Sequence, residues 1–222
     1  MSSLIKLVKD AYSKSVRRES KVPPELLKTE AMSGELTRHF YNNLLSSSEI
    51  HKFLEIGTWQ GITLICGMYG NAHIEPYAID NWSQFNGDIK TVIDNCNKWH
   101  TNKEYIHFIE GDCFDVSTIS KVPTGIDMFI FDSEHSYYSH RNSLTKYIEK
   151  CSDEFIFIVD DWNWPDVRNG TYDSIKDSNV EILYELEIRT TWNDKDTPLD
   201  DAKENWWNGI YCVVCRKNNL KK

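Results

Sequence analysis

Asp132, His135, Asp160 and Asp161 are the side chains of this sequence best suited to hold a cation or move a proton. They stand in two short segments, Phe129-Ile-Phe-Asp132-Ser-Glu-His135-Ser-Tyr137 and Val159-Asp160-Asp161-Trp162. Each segment follows an apolar run of strand type. If the runs are neighbouring parallel strands, their ends bring three carboxylates to one sheet edge, where they repel unless something cationic intervenes. A hard divalent ion is the economical answer, and oxygen-only ligands favour magnesium, manganese or calcium over zinc. The plain alternative is that Asp161 caps a helix after Pro165 and Asp132 binds backbone amides. His135, three residues past Asp132, can accept a proton near neutral pH. An isolated histidine is more often structural, and it is the company of Asp132 that marks this one. His107 and His140 lack such company. Glu134, inside the same segment, could replace one Asp as a ligand.

A second group of residues is placed to hold a nucleoside. Phe53-Leu54-Glu55-Ile56-Gly57-Thr58-Trp59-Gln60-Gly61 reads as a buried strand, a glycine turn and the start of a helix. A dinucleotide site needs a second close glycine where the backbone meets the pyrophosphate, and Thr58 and Trp59 occupy that region instead. A nucleoside with a small charged tail fits better. Asp80 follows the next strand, 23 residues after Gly57, where a carboxylate can accept from both ribose hydroxyls. Gly111-Asp112-Cys113 follows the third strand, where an Asp can accept from an adenine amino group. Glu55 is placed to organise the turn or the amino end of the ligand. Taken singly, each glycine could serve a plain turn and each acid a helix cap. Together they point to a nucleoside.

These motifs resemble those of class I S-adenosylmethionine-dependent methyltransferases. The Gly57–Gly61 turn is similar to their first motif, and the Asp132–Tyr137 segment and the Asp160-Asp161 pair resemble methyltransferase family 24. Glu30-Ala-Met-Ser-Gly34 resembles the entry segment of a macrocin-type sugar O-methyltransferase group. The resemblance spans roughly residues 29–190. It implies S-adenosylmethionine as cofactor, held by Met32, Ser33, Glu55, Gly57, Thr58, Gly61, Asp80, Asp112, Cys113 and Asp132. It implies a divalent metal, Mg²⁺ or Mn²⁺, on Asp132, Asp160 and Asp161, with His135 as general base beside Asp132. The implied reaction is methyl transfer to a sugar hydroxyl of a glycan or glycosylated small molecule. Trp162, Trp164 and Arg168 are the acceptor-binding candidates: indole faces suit sugar C–H surfaces, and a guanidinium can bind hydroxyls. Two other readings compete. A nicotinamide-dependent oxidoreductase is opposed by the missing glycine, and a binding module without chemistry by the intact Asp132, His135, Asp160 and Asp161 set.

The elements that must position these residues alternate along the chain. Strands are expected near 51–56, 74–79, 105–109, 128–131, 154–159, 182–188 and 210–215. Helices are expected near 62–69, 88–99, 115–119 and 136–150, and from Pro165 to about 178. This predicts a doubly wound α/β fold, with a mostly parallel seven-stranded sheet covered by helices on both faces and an antiparallel last strand. Leu4, Ile5, Val8, Ala11, Tyr12 and Val16 predict an N-terminal helix, and Leu36, Phe40 and Leu44 predict another over 35–45. Residues 1–50 then form a helical extension and 51–222 the main domain. The first helix could close the site or make a homodimer contact, and the sequence does not choose. The segment 190–208, with four Asp residues and Trp206-Trp207, is long enough to be functional.

Composition excludes several partners. The net charge of −9 and the absence of a basic cluster argue against a nucleic acid substrate. The short tail with Lys217, Lys221 and Lys222 reads as solvated. No run approaches the roughly 20 apolar residues of a membrane span. Charges interrupt the first ten residues where a signal peptide would be apolar, so the expected location is cytoplasmic, in a host cell if the source is viral. Six scattered cysteines suit a reducing compartment. Cys212-Val-Val-Cys215 lies in a strand-like run, where residues three apart face opposite ways and cannot chelate one ion.

Overall fold

The computed structural model describes residues 2–99 and 105–218, so Lys221 and Lys222 lie outside the described residues. Seven strands form one sheet: β1 (Lys52–Ile56), β2 (Glu75–Asp80), β3 (His107–Glu110), β4 (Ile126–Phe131), β5 (Cys151–Val159), β6 (Val180–Ile188) and β7 (Ile210–Lys217). Their order is β3-β2-β1-β4-β5-β7-β6. β3, β2, β1, β4 and β5 are mutually parallel, and β7 runs antiparallel to both β5 and β6. This is the expected sheet, with the last strand reversed. The order changes direction between β1 and β4, which creates a crevice at the carboxyl ends of the strands.

Period-two alternation builds the two cores. Phe53, Met128, Ile130, Ile156, Ile158, Cys212 and Val214 face one apolar cluster. Leu54, Ile56, Phe129, Phe131, Phe155, Phe157, Val159, Tyr211, Val213 and Cys215 face the other. Because both faces are covered, the central strands read as continuous apolar runs. Cys212 and Cys215 fall on opposite faces, so they cannot share an ion. All six cysteines are buried, and none forms a disulfide.

Helices α1 (Ser3–Val16), α3 (Glu35–Leu45), α4 (Ile62–Met68) and α5 (Ile89–Lys98) cover the first face. Helices α7 (Tyr137–Tyr147) and α8 (Pro165–Asp177) cover the second, with α6 (Val116–Ser120) beside them. Two short helices, α2 (Pro24–Leu27) and α9 (Leu199–Glu204), complete the chain. Neither was expected, because four and six residues are too few to show a period. The expected helix over 136–150 ends at Tyr147 and tightens to a 3₁₀ turn at Ile148–Lys150. Among the described residues no helix is long and apolar enough to cross a membrane.

The sequence predicts one apolar face for α3, but the helix is buried all round from Leu36 to Leu45. Its polar side is covered by α1 and the chain leading to α2, and hydrogen bonds compensate. Asn42 Nδ2 donates to the Cys66 carbonyl at 2.8 Å and the Tyr69 carbonyl at 2.9 Å. Arg38, 3% exposed, donates to the carbonyls of Leu27 (2.6 Å), Thr29 (2.7 Å) and Ser33 (3.1 Å) and to the Ser33 hydroxyl (3.0 Å). A buried guanidinium satisfied by fixed carbonyls gives residues 27–33 a defined path. That path carries Met32 and Ser33 to the crevice.

Candidate active site

A cavity of about 770 Å³ opens at the switch point, large enough for a nucleoside cofactor and a small acceptor together. Met32, Ser33, Gly57, Thr58, Gly61, Asp80, Asp112, Cys113 and Asp132 line it, as do His135, Asp161 and Trp164. Glu55, Asp160, Trp162 and Arg168 do not.

The glycine turn is fixed by close backbone approach. Gly57 has φ +90°, and a Cβ there would lie 1.6 Å from the Asp132 carbonyl oxygen. No rotamer relieves a clash with backbone, so this position requires glycine. Asp80 ends β2 with both oxygens held by loop amides: Oδ2 accepts from Trp59 N–H and Oδ1 from Trp82 N–H, each at 2.7 Å. The indoles brace the same loops. Trp82 donates to the Trp59 carbonyl (2.9 Å) and Trp59 to the Phe85 carbonyl (3.2 Å). Asp112 Oδ1 accepts from Phe114 N–H at 2.8 Å. These bonds orient the carboxylates at the cavity wall, and each oxygen keeps a further lone pair. Burial pushes the Cys113 thiol up to about 11, so it is no nucleophile.

Glu55 lies beneath the turn, 1% exposed, and its Oε2 has no hydrogen-bond partner. Burial raises its pKa to about 8; a hydrogen bond from Thr63 opposes the rise and the charges of Asp132 and Asp80 assist it. Thr58 Oγ1 is also buried without a partner. Thr58 lines the cavity, so its unpartnered hydroxyl can meet a polar group of a ligand there.

The other end of the cavity is built on the ends of β4 and β5. His135 Nε2 lies 2.8 Å from Asp161 Oδ2 and 3.9 Å from Asp132 Oδ1. Burial alone would lower the imidazole pKa, but hydrogen bonds to Asp132 and Asp161, and their charges, outweigh it and raise it to about 10. His135 is therefore an imidazolium at neutral pH, clamped between two carboxylates. This differs from the free base expected from sequence. One ligand atom each from Asp132, His135 and Asp161 falls within 4.8 Å of the others, the spacing of a metal site. Asp160, expected as the third ligand, is not in this group. Its side chain is 2% exposed, and Oδ1 turns back to accept from the Asp161 amide at 2.9 Å. Burial, with Asp132 and Asp161 nearby, pushes its pKa well above the usual carboxylate range. Glu134 is also outside the group and accepts from the Ser136 hydroxyl at 2.8 Å.

Asp161 has a left-handed backbone, φ +55°. Strain of this kind persists only where surrounding contacts enforce it. They come from the 190–208 segment. Asn208 Nδ2 donates to Asp161 Oδ1 at 2.8 Å, and Asn208 Oδ1 accepts from Thr197 N–H at 2.9 Å. Asn163 gathers the same segment: its Oδ1 accepts from the amides of Thr190 (3.0 Å) and Thr191 (3.2 Å), and its Nδ2 donates to Thr190 Oγ1 (2.8 Å). Neither asparagine was singled out in the sequence. Asn208 precedes Gly209, φ +88°, at the entry to β7, and that pair was the available signal.

Two acceptor candidates are corrected, Trp162 by its burial and Arg168 by its partners outside the cavity. Trp162 is 0% exposed, stacked on Tyr211 at 4.2 Å, with its indole N–H given to Glu187. It is a core residue of the second face. Arg168 donates to the carbonyls of Trp162 and Asn163 and pairs with Asp194 at 2.7 Å, so its guanidinium braces the loop from outside the cavity. Trp164 does line the cavity. Its ring meets His135 edge-on at 4.5 Å, and its N–H reaches Asp196 at 3.0 Å.

TomG from Streptomyces achromogenes, an O-methyltransferase involved in tomaymycin synthesis and solved with S-adenosylmethionine, superposes with a TM-score of 0.64. It is 11% identical, with 98% of this chain and all of that chain covered (100%). An O-methyltransferase from Bacillus cereus, solved with S-adenosylhomocysteine, gives 0.57 at 14% identity, covering 96% and 91%. The methyltransferase PaMTH1 of Podospora anserina, also bound to S-adenosylhomocysteine, gives 0.61 at 11%, covering 96% and 88%. At such identities the likeness shows the fold. No curated protein sequence matches this chain significantly. Residues 54–162, from β1 through the Asp160-Asp161 pair, match the family described as a methyltransferase domain. Over that segment, just under half of the chain, it resembles methyltransferase family 24.

Proposed function

We propose that this chain is an S-adenosylmethionine-dependent O-methyltransferase whose acceptor is a sugar hydroxyl on a glycan or glycosylated small molecule. One observation carries the reading: a single cavity joins the Gly57–Asp80–Asp112 wall to the Asp132–His135–Asp161 group. The first suits the nucleoside, and the second can orient and deprotonate an acceptor beside it. The O-methyltransferases with this fold, two of them solved with cofactor or product, support the cofactor assignment. Trp164 and Trp207 at the cavity wall support a sugar ring, in place of Trp162.

The Asp132, His135 and Asp161 donors fit a divalent cation. With an imidazole nitrogen in the set, manganese fits better than the magnesium suggested by oxygen ligands alone. Such an ion would supply Lewis acidity, lowering the pKa of an acceptor hydroxyl. The chain's own residues do the rest. Asn208 and His135 each hold one oxygen of Asp161, which aims that carboxylate into the cavity. As a ligand His135 would have no lone pair left for the hydroxyl proton, so it would act as the base only with the ion on Asp132 and Asp161 alone, where that ion answers their charge. The alkoxide then takes the sulfonium methyl, and the neutral thioether leaves.

The test is transfer of label from S-adenosylmethionine to a panel of deoxyhexosides, catechols, protein and nucleic acid, with and without a chelator and added Mn²⁺. Label on a sugar, lost on chelation and restored by the ion, is the expected result. Label on catechol or protein alone would reject the sugar acceptor. Undiminished transfer after chelation would reject the metal.

A further inference from the structure

We propose that the acceptor bears a positive charge, an ammonium close to the hydroxyl that is methylated, and that Asp196 and Glu134 recognise it. The substrate class is then an amino sugar or a similar amino alcohol. The inference rests on the transferase reading of the site and adds the charge of its substrate.

Six carboxylates line the cavity, from Asp80, Asp112, Asp132, Glu134, Asp161 and Asp196, and no Lys or Arg stands among the described lining residues. Asp80 and Asp112 belong to the cofactor wall, and a sulfonium cofactor with its amino and carboxylate groups brings one net positive charge there. Asp132 and Asp161 are answered by His135. Glu134 and Asp196 are left. Each meets only a neutral donor: Glu134 the Ser136 hydroxyl, Asp196 the Trp164 indole. Neither forms an ion pair among the described residues. Asp194, two residues before Asp196, shows the contrast. It takes both Arg168 (2.7 Å) and Arg189 (2.8 Å), on the side away from the cavity. Cations are thus at hand in this loop, yet none faces the acceptor.

Two further features fit an ammonium ligand. Ser139 lines the same cavity, and its hydroxyl, on a residue 1% exposed, has no partner. A hydroxyl without a donor can accept from an ammonium or complete the contacts of the reacting hydroxyl. Trp164, which carries Asp196 on its N–H, stands at the wall with Trp207, and indole faces attract a cation where water is excluded. A phosphate or carboxylate on the acceptor would instead meet several like charges at close range.

The experiment measures binding of glucosamine, N-acetylglucosamine and glucuronate to the full chain loaded with S-adenosylhomocysteine and Mn²⁺, and label transfer to each from S-adenosylmethionine. At neutral pH glucosamine should bind about tenfold or more tightly than N-acetylglucosamine, with glucuronate weakest. Asp196→Asn should narrow the first ratio to about threefold or less, and Glu134→Gln should narrow it further. Equal or tighter binding of the neutral or acidic sugar, or no binding of glucosamine, would overturn the charge assignment. If sugars take the label without that preference, the transferase reading survives and this inference fails. Label on the amine nitrogen would overturn oxygen transfer and leave the charge assignment standing.

Discussion

Replacing Asn208 by Ala removes the one side chain that ties the 190–208 segment to Asp161. The residue is 7% exposed, and two hydrogen bonds are lost. The bond to Asp161 Oδ1, 2.8 Å, is made to an ionised group and contributes about 1.5–3 kcal/mol. The bond from Thr197 N–H, 2.9 Å, contributes about 1 kcal/mol and leaves a buried donor when lost. A destabilisation of about 3 kcal/mol follows, and for a chain of this size that lowers Tm by roughly 6–12 °C. Asp161 would also lose one of its two holds at the acceptor end, so turnover should fall by about 10–100-fold, the usual effect of removing a partner that orients a ligand carboxylate. The isosteric Asn208→Asp separates the two effects. It keeps the acceptor for Thr197 but sets a second carboxylate against Asp161, so its penalty should grow as pH rises through the carboxylate range. Thermal unfolding and label transfer on both variants are the assay. If Asn208→Ala stays within about 0.5 kcal/mol of the parent with native turnover, the coupling of segment to carboxylate is refuted.

Gly57→Ala should cost at least about 3 kcal/mol or abolish folding, because a left-handed φ and a Cβ at 1.6 Å from a carbonyl cannot both be relieved; urea unfolding measures it, and native stability would contradict it. Trp162→Ala should lose about 3–5 kcal/mol of stability as a core truncation, whereas Trp164→Ala should mainly raise the acceptor KM. Paired unfolding and kinetic measurements would show a reversal of the two if the burial argument is mistaken. In metal-free protein, His135→Gln should destabilise the fold near pH 7. The folded-state pKa of His135 is raised, so its stabilisation is complete below the ordinary histidine range and is lost as pH climbs through about 10. The parent and variant stabilities should therefore converge in alkali; a gap that widens from pH 7 to 10 would contradict the clamped imidazolium.

Strand positions and the mostly parallel sheet were legible because a sheet covered on both faces leaves uninterrupted apolar runs between turn residues, as in Met128–Phe131 and Phe155–Val159. That Gly57, Asp80, Asp112 and Asp132 line one cavity was legible for the same reason, since they sit at strand ends and the topology gathers strand ends. Burial of polar residues was not. Trp162 looks like a surface aromatic in a loop until Tyr211 and Glu187 are brought to it by β7 and β6, both distant in sequence. Asp160 and Asp161 are indistinguishable as letters. A left-handed turn at Asp161 sends one carboxylate into the cavity while the other accepts from the backbone. Asn208 acquires its role only when a long segment folds back across the sheet edge.

Occupation of the strand-end cavity by the nucleoside and methionine tail of S-adenosylmethionine underlies every step of the proposed function. Calorimetric titration of the purified chain with S-adenosylhomocysteine, in parallel with NAD, tests it most directly. The expected result is one-to-one binding of S-adenosylhomocysteine, weakened by Asp80→Ala, and no heat with NAD. Silence towards S-adenosylhomocysteine at saturating concentration, or binding of NAD in its place, would contradict the claim.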